Sequence, residues 1–254
     1  MIGCREGFVN SGAVPSVLGP RPRRHGVITE LMADVARAVL DTPGAGDDLR
    51  LGGANALSEF YLGHRLSADL DFFAMAPENL AEVSRQLPSR VRSTGLASEL
   101  KVVRTGFDFH RFELIPASGG VAFQIDLGRW LPPQMAPPLL VDGIRVEAYL
   151  ELALGKLLAL IDRAEPRDAV DLWAICNLGE LGLPDLIEAV YEKDPGLAEA
   201  PYAIAGRLQQ VGKALPLPLP PLLTDIRPEV VQRWFAEEAT AVWRRLRPDV
   251  TPRP

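Results

Sequence analysis

The chain has 254 residues and is 47% hydrophobic, 24% charged and 7% aromatic, with a formal net charge of −6. That length suits one large globular domain or two modest ones. The negative balance excludes a generally basic nucleic-acid binder and leaves such a partner only a local positive patch. Two cysteines, Cys4 and Cys176, exclude a disulfide scaffold and a cysteine metal centre and fit a reducing cytoplasm. No apolar run reaches the ~18–20 residues of a membrane helix, and the first 25 residues lack the apolar stretch of a secretory signal. No membrane partner is expected.

Residues 1–26 are rich in Gly and Pro and lack periodicity, which predicts a flexible N-terminal segment. Arg21, Arg23, Arg24 and His25 read as part of a solvated tail, with phosphate contact as the alternative. Ile28, Leu31, Val35 and Val39 recur at helical spacing and predict a helix over Val27–Leu40, closed by the turn residues Thr42–Gly46.

The stretch Leu49–Phe73 organises the chain. It reads as a short strand, a Gly52-Gly53 turn, a helix over Ala54–Leu62, a polar loop and a second strand carrying Asp69 and Asp71. Side chains alternate along a strand, so both carboxylates share a face while Leu70 and Phe72 point to a core. Like charges side by side need a positive partner, and Mg²⁺ takes one or two carboxylates plus phosphate oxygens. Glycines ahead of a helix allow close backbone approach, and the helix start offers free N–H groups to a phosphate. Either feature alone is common. Together, the Gly-Gly turn, Leu62-Gly-His-Arg65 and Ser67-x-Asp-Leu-Asp-Phe-Phe73 resemble the nucleotidyltransferase superfamily, and are most similar to its AbiEii/AbiGii-type toxins.

Pro77 opens a predicted helix over Glu78–Leu87 that Pro88 closes. Strand-like runs follow at Leu100–Thr105, Phe109–Pro116 and Val121–Arg129. In the last of these, odd positions from Val121 to Leu127 read as a core face, with Ala122, Gln124 and Asp126 opposite. Asp126 taken alone is an ordinary solvent-facing residue. The resemblance implies a third site carboxylate on a strand beside Asp-x-Asp, and Asp126 is better placed for it than Asp108 or Asp142. Pro-rich residues 131–138 form a stiff connector, and Leu139–Val146 a hairpin around Asp142-Gly143.

From Glu147 the pattern is helical. The first helix, Glu147–Arg163, is strongly apolar with Lys156 in its middle, a cation that needs an anionic partner or a route to the surface. A Lys–Asp pair tying two helices together is one reading. The series Lys156…Arg163…Arg167-Asp168-x-x-Asp171-Leu172 again resembles the AbiEii type, which implies that Lys156 contacts nucleotide phosphates and that Asp171 positions it or another group. Helices are predicted over Leu183–Glu192, Tyr202–Ala214 and Pro228–Arg247, with a polyproline spacer at Leu215–Pro221 and arginines at the last helix end.

The expected architecture is α+β: a flexible segment over 1–26, a nucleotidyltransferase domain with a mixed sheet over 27–146, and a C-terminal helical bundle over 147–254 that contributes Lys156 and Asp171. The resemblance implies a toxin that transfers a nucleotide from an NTP to an acceptor, RNA such as tRNA or another macromolecule, opposed by a cognate antitoxin. It implies metal ligation by Asp69, Asp71 and Asp126 around two Mg²⁺ ions, with Asp126 deprotonating the attacking hydroxyl. Gly52, Gly53, Arg65, Ser67, Lys156 and Asp171 would bind the nucleotide. His64 reads as a structural hydrogen-bonder ahead of a ligand or base. One departure is that Ala54-Asn55 follows the glycines where the family places a hydroxyl residue, and Ser58 comes later in the helix. The alternatives are a small-molecule nucleotidyltransferase of the antibiotic-modifying type and a non-catalytic nucleotide-binding protein of the same fold.

Overall fold

The computed structural model describes residues 19–130 and 133–247. Helix α1 (Glu30–Leu40) begins at Thr29, whose hydroxyl accepts from the Met32 amide at 3.2 Å, a cap worth about 1 kcal/mol. Strand β1 (Arg50–Gly52) runs directly into α2 (Gly53–Leu57), which continues as a π-helical turn over Ser58–Leu62 and ends at Gly63 in the left-handed region. Then come β2 (Leu70–Ala74), α3 (Pro77–Thr94), β3 (Ala97–Thr105), β4 (Phe109–Pro116) and β5 (Phe123–Arg129). The hairpin β6 (Leu139–Val141) and β7 (Ile144–Val146) turns through Asp142 and Gly143, both at positive φ. The remainder is helical: α4 (Tyr149–Asp162), α5 (Pro166–Leu178), α6 (Leu183–Lys193), α7 (Pro195–Glu199), α8 (Tyr202–Lys213) and α9 (Pro228–Leu246).

The strands form one mixed sheet in the order β3-β4-β5-β2-β1-β7-β6. β2 lies between β1, antiparallel to it, and β5, parallel to it. Leu70 and Phe72 on β2, Ile125 and Leu127 on β5, and Phe112 and Leu114 on β4 are fully buried, and α3 packs against all three strands. The alternate residues of these strands face the other way, and there the site is built. Helix α4 packs on α2, α5 on α4 and on the π-helical turn, and α9 on α5 and α8. The fold is α+β with a mixed sheet and a C-terminal helical region, as expected.

Several expectations need correction. The helix from Pro77 does not stop at Pro88 but runs to Thr94. A proline inside a helix costs roughly 3 kcal/mol. Leu80, Val83, Leu87 and Val91 are all buried along one face, and burying each large side chain returns about 1.5–3 kcal/mol, which outweighs it. Val121 is 89% exposed, and β5 starts only at Phe123, so the apolar alternation overreached by one turn of the strand. Asp69 lies one residue ahead of β2 rather than within it.

The expected tail over 1–26 falls outside the described residues up to 18. Residues 19–26 are tied down: Arg23 N donates to the Phe60 carbonyl at 2.8 Å, His25 N to Glu59 O at 2.9 Å, and the Arg24 guanidinium bonds the buried Glu59 carboxylate. The Pro-rich spacer is also anchored. Leu66 N donates to Pro221 O and Leu223 N to His64 O, each at 2.9 Å, with a bridge between Arg65 and Leu222. Among the described residues no helix is long and apolar enough to cross a membrane.

Candidate active site

Strand register fixes the heart of the site. Arg111 on β4, Asp126 on β5, Asp71 on β2 and Gly52 on β1 stand opposite one another in one row across the sheet. Two residues along, Phe109, Gly128 and Phe73 form an apolar row beside it. Because side chains alternate at period 2, the two rows share a face. Asp126 therefore sits on the same side of the sheet as Asp71.

A cavity of about 350 Å³ opens on that face. Gly53, Arg65, Ser67, Asp69, Asp71, Asp126 and Lys156 all line it, whereas Gly52 and Asp171 do not. Gly53 has φ +65°, and a Cβ there would stand 2.0 Å from Asp71 Oδ2, so only glycine lets this backbone lie against the carboxylate. Gly52 is excluded from the cavity because Glu147 and the Phe73 ring close over it, with Glu147 Oε2 at 2.5 Å from where a Cβ would be. Asn55, in place of a hydroxyl residue, donates from Nδ2 to the Asp69 carbonyl at 2.5 Å and so fixes the loop that presents Asp69.

The carboxylates differ sharply in electrostatics. Burial pushes the Asp71 carboxyl up to about 6; Asp126 and Asp69 add to the rise, while Lys156 and Arg167 oppose it. Burial likewise raises Asp69, with Asp126 adding and Arg111, Arg167 and Arg65 opposing. Among the described residues neither carboxylate accepts a side-chain hydrogen bond. Asp126 is different: Arg111 grips it with Nε–Oδ1 at 2.8 Å and a second nitrogen to Oδ2 at 2.6 Å.

Behind the cavity lies a closed network around Asp171, which is fully buried. Lys156 Nζ stands 2.7 Å from its Oδ2, Arg65 grips both oxygens at 2.5 and 2.8 Å, and His64 Nε2 lies 2.9 Å from Oδ1. Burial alone would raise this carboxyl, but Lys156 and Arg65, then the Arg65 and His64 hydrogen bonds, hold it well below the usual range. Burial lowers His64, and Arg65 and Lys156 add to that against the pull of Asp171. A neutral imidazole with its proton on Nε2 donates to Asp171, and Nδ1 then faces Ser58 Oγ at 3.1 Å. His64 and Ser58 are thus buried structural groups: the single Ser58 hydroxyl proton is shared between His64 Nδ1 and the Arg65 carbonyl, 2.6 Å away, while Ser58 Oγ accepts from the Arg65 amide at 3.1 Å. The Lys–Asp pair between two helices and the cavity-lining lysine are the same residue.

Carboxylate oxygens suit a hard cation such as Mg²⁺, and Asp69 and Asp71, raised first by burial and further by neighbouring carboxylates, bond no cation among the described residues, which fits. Among the described residues, however, no three His, Cys, Asp or Glu side chains form a group that could hold an ion, and both Asp126 oxygens are taken by Arg111. Asp69 and Asp71 fit such an ion as they stand; Asp126 fits only when Arg111 is elsewhere.

The sequence model of the family described as "Nucleotidyl transferase AbiEii toxin, Type IV TA system" matches residues 35–252. The chain belongs to that family. It is a nucleotidyltransferase of a type IV toxin–antitoxin system, a class that implies a nucleotide substrate and an antitoxin partner. The crystal structure of JHP933 from Helicobacter pylori shares its fold, with a TM-score of 0.51 at 20% identity over 85% of this chain and 90% of that one. A candidate nucleotidyltransferase from H. pylori superimposes with a TM-score of 0.49 at 19% identity, over 88% and 96%. Curated proteins give no match.

In this AbiEii-family chain, sequence reasoning left Arg111, Arg167, Glu147, Phe73, Phe109 and Trp130 out of the site, although all line the cavity. Arg111 was findable: on β4 it lies out of phase with the core residues Phe112 and Leu114, on the face that carries Asp126 one strand away. Glu147 sits where the sheet meets α4; burial pushes it up to about 8 against the pull of Arg50, whose Nε is 3.5 Å away. Trp130 lies over Gly155, where a Cβ would be 2.7 Å from its ring, and donates from Nε1 to Glu151 at 2.9 Å.

Proposed function

We propose that this AbiEii-family enzyme uses divalent metal, Mg²⁺ by the chemistry of its donors, to transfer a nucleotide from an NTP to an RNA acceptor such as tRNA. The observation that carries this reading is Asp71 and Asp126 opposite each other in register, beside Asp69, on the wall of a cavity whose other charged residues include Arg65, Arg163, Arg167 and Lys156. In a chain of net charge −6, that cluster of cations is the local patch a polyanion needs.

Each residue has a part in the reading. Magnesium, held by this chain's carboxylates in a two-ion site, would supply charge neutralisation during an in-line displacement at the phosphate. Asp69 and Asp71 hold it, and Asp126 completes the carboxylate set and takes the proton of the attacking hydroxyl. Lys156 presents its ammonium to the phosphates from α4. Arg65 and Ser67 contact the nucleotide from the loop ahead of β2, and Gly53 lets the backbone approach. Asp171 moves from nucleotide contact to positioning, since it is buried behind the cavity and orients both Lys156 and Arg65. Gly52 likewise shapes the turn without touching the nucleotide. Division into a sheet domain over 27–146 and a helical domain over 147–254 puts the site at their junction, with Asp71 on one side and Lys156 on the other.

The test is incubation of the purified chain with each α-labelled NTP, Mg²⁺ and total RNA. Label on RNA supports the reading. Label on a small acceptor moves the substrate to the antibiotic-modifying class, and NTP binding without transfer to any acceptor contradicts it.

A further inference from the structure

We propose that Arg111 is a nucleotide-responsive positioning residue. In the free protein it occupies Asp126, and it passes to the triphosphate when metal and NTP enter. This rests on the metal-dependent reading above and goes beyond it, by assigning a role to a residue the carboxylate motif does not contain.

Four observations support it. Arg111 takes both oxygens of Asp126 in a bidentate pair, at 2.8 and 2.6 Å, so its guanidinium stands where an ion bound to Asp126 would be. Its register partner is Asp126, whose own partner is Asp71, so it ends the row of site carboxylates rather than lying at the cavity margin. It is free to leave: its side chain is 37% exposed against 11% for Asp126, among the described residues its side chain makes no hydrogen bond or ion pair besides those to Asp126, and its guanidinium carbon lies 5.4 Å from the Phe109 ring. Arg65 contrasts with it, being only 4% exposed and bonded to the Leu66 carbonyl as well as to Asp171.

The exchange is energetically even-handed. A bidentate arginine–carboxylate pair is stronger than an ordinary surface pair, but with the Arg111 side chain 37% exposed its guanidinium stays open to exchange. A divalent cation outcompetes a single positive charge for a carboxylate, and a released guanidinium finds a phosphate with the same two-pronged geometry. No bond is made or broken covalently; one carboxylate partner is traded for one phosphate partner. The consequence is coupling: without nucleotide Arg111 competes with the metal, and with nucleotide it does not.

The test is Mn²⁺ binding, followed by calorimetry and by the spin-resonance signal of free Mn²⁺, in wild type, Arg111→Ala and Arg111→Lys, with and without an α,β-methylene NTP analogue. Without nucleotide, Arg111→Ala should bind Mn²⁺ about tenfold more tightly than wild type, the scale of losing one competing charged hydrogen-bonded partner. Arg111→Lys, which keeps charge but not the fork, should fall between. With the analogue the gap should close or reverse, and the analogue should bind Arg111→Ala more weakly. Equal Mn²⁺ affinity of wild type and Arg111→Ala without nucleotide overturns the proposal while the metal reading stands. No Mn²⁺ binding by any form, with or without analogue, overturns the metal reading and this proposal with it. Thermal melts of all three proteins verify that folded chains are compared.

Discussion

Asp71 and Asp171 are the same residue type and both lie near Lys156, but Asp171 is fully buried whereas Asp71 lies on the cavity wall, partly exposed. Their surroundings are opposite. Asp171 is compensated within the chain by Lys156, Arg65 and His64 and is held well below the ordinary carboxylate range. Asp71 is pushed up to about 6 by burial first, with Asp126 and Asp69 adding to the rise and Lys156 only partly opposing it. A buried charge with full partners is architecture; a cavity-wall carboxylate without them is open to a partner from outside the chain. On the function proposed above, the contrast separates residues that hold the site together from residues that would hold the substrate.

Breaking the two halves should give opposite phenotypes. The largest effect is expected for Asp71→Asn: transfer falls by on the order of a thousandfold, the scale of removing one electrostatic catalytic group, while the melting temperature holds or rises because an unfavourable charge is gone. Label transfer and thermal denaturation measure the two together. Asp171→Asn should do the reverse in kind, costing about 3–5 kcal/mol of stability because Lys156 and Arg65 lose a buried partner, as read from urea denaturation. A loss below ~1 kcal/mol would mean that water reaches these cations.

Gly53→Ala sharpens the boundary between the halves. It should cost roughly 1–2 kcal/mol for its left-handed backbone and displace Asp71, against which the new Cβ would press, so transfer should drop far more than stability. Glu147→Gln should change a slope. The Glu147 carboxyl is raised from 4.5 to about 8, so the folded state keeps a proton that the unfolded chain has released. Its stabilising contribution is full below pH ~4.5 and is lost as pH rises towards 8. The Gln variant should lack that decline, measured as urea midpoints at pH 5 and pH 8.

Much of this was legible in the sequence because it is local. Gly52-Gly53, Asp69 and Asp71 lie within a single supersecondary unit, and alternation alone put Asp126 off the core face of its strand. The strand and helix order also followed from periodicity and turn residues, with α7 missed because five residues carry no period. The rest depends on register and packing. Nothing near Arg111 in the sequence says that it faces Asp126; only the pairing of β4 with β5 does. Nothing near Pro88 says that burial on both sides of it will carry α3 onward. Arg24 and Pro221 look like tail and spacer until Glu59 and Leu66 are found beside them. Asp171 reads as a substrate contact until its two cations are seen to lie between it and the cavity.

The central claim is that Asp69 and Asp71 await a cation which the chain itself does not provide. Anomalous diffraction from crystals grown with Mn²⁺ and an α,β-methylene NTP analogue tests it most directly. The account predicts an anomalous peak within bonding distance of Asp69 and Asp71 and of the analogue's phosphate oxygens, absent from Asp71→Asn crystals. A nucleotide bound in the cavity with no metal at these carboxylates, or with a lysine or arginine filling their place, would contradict it.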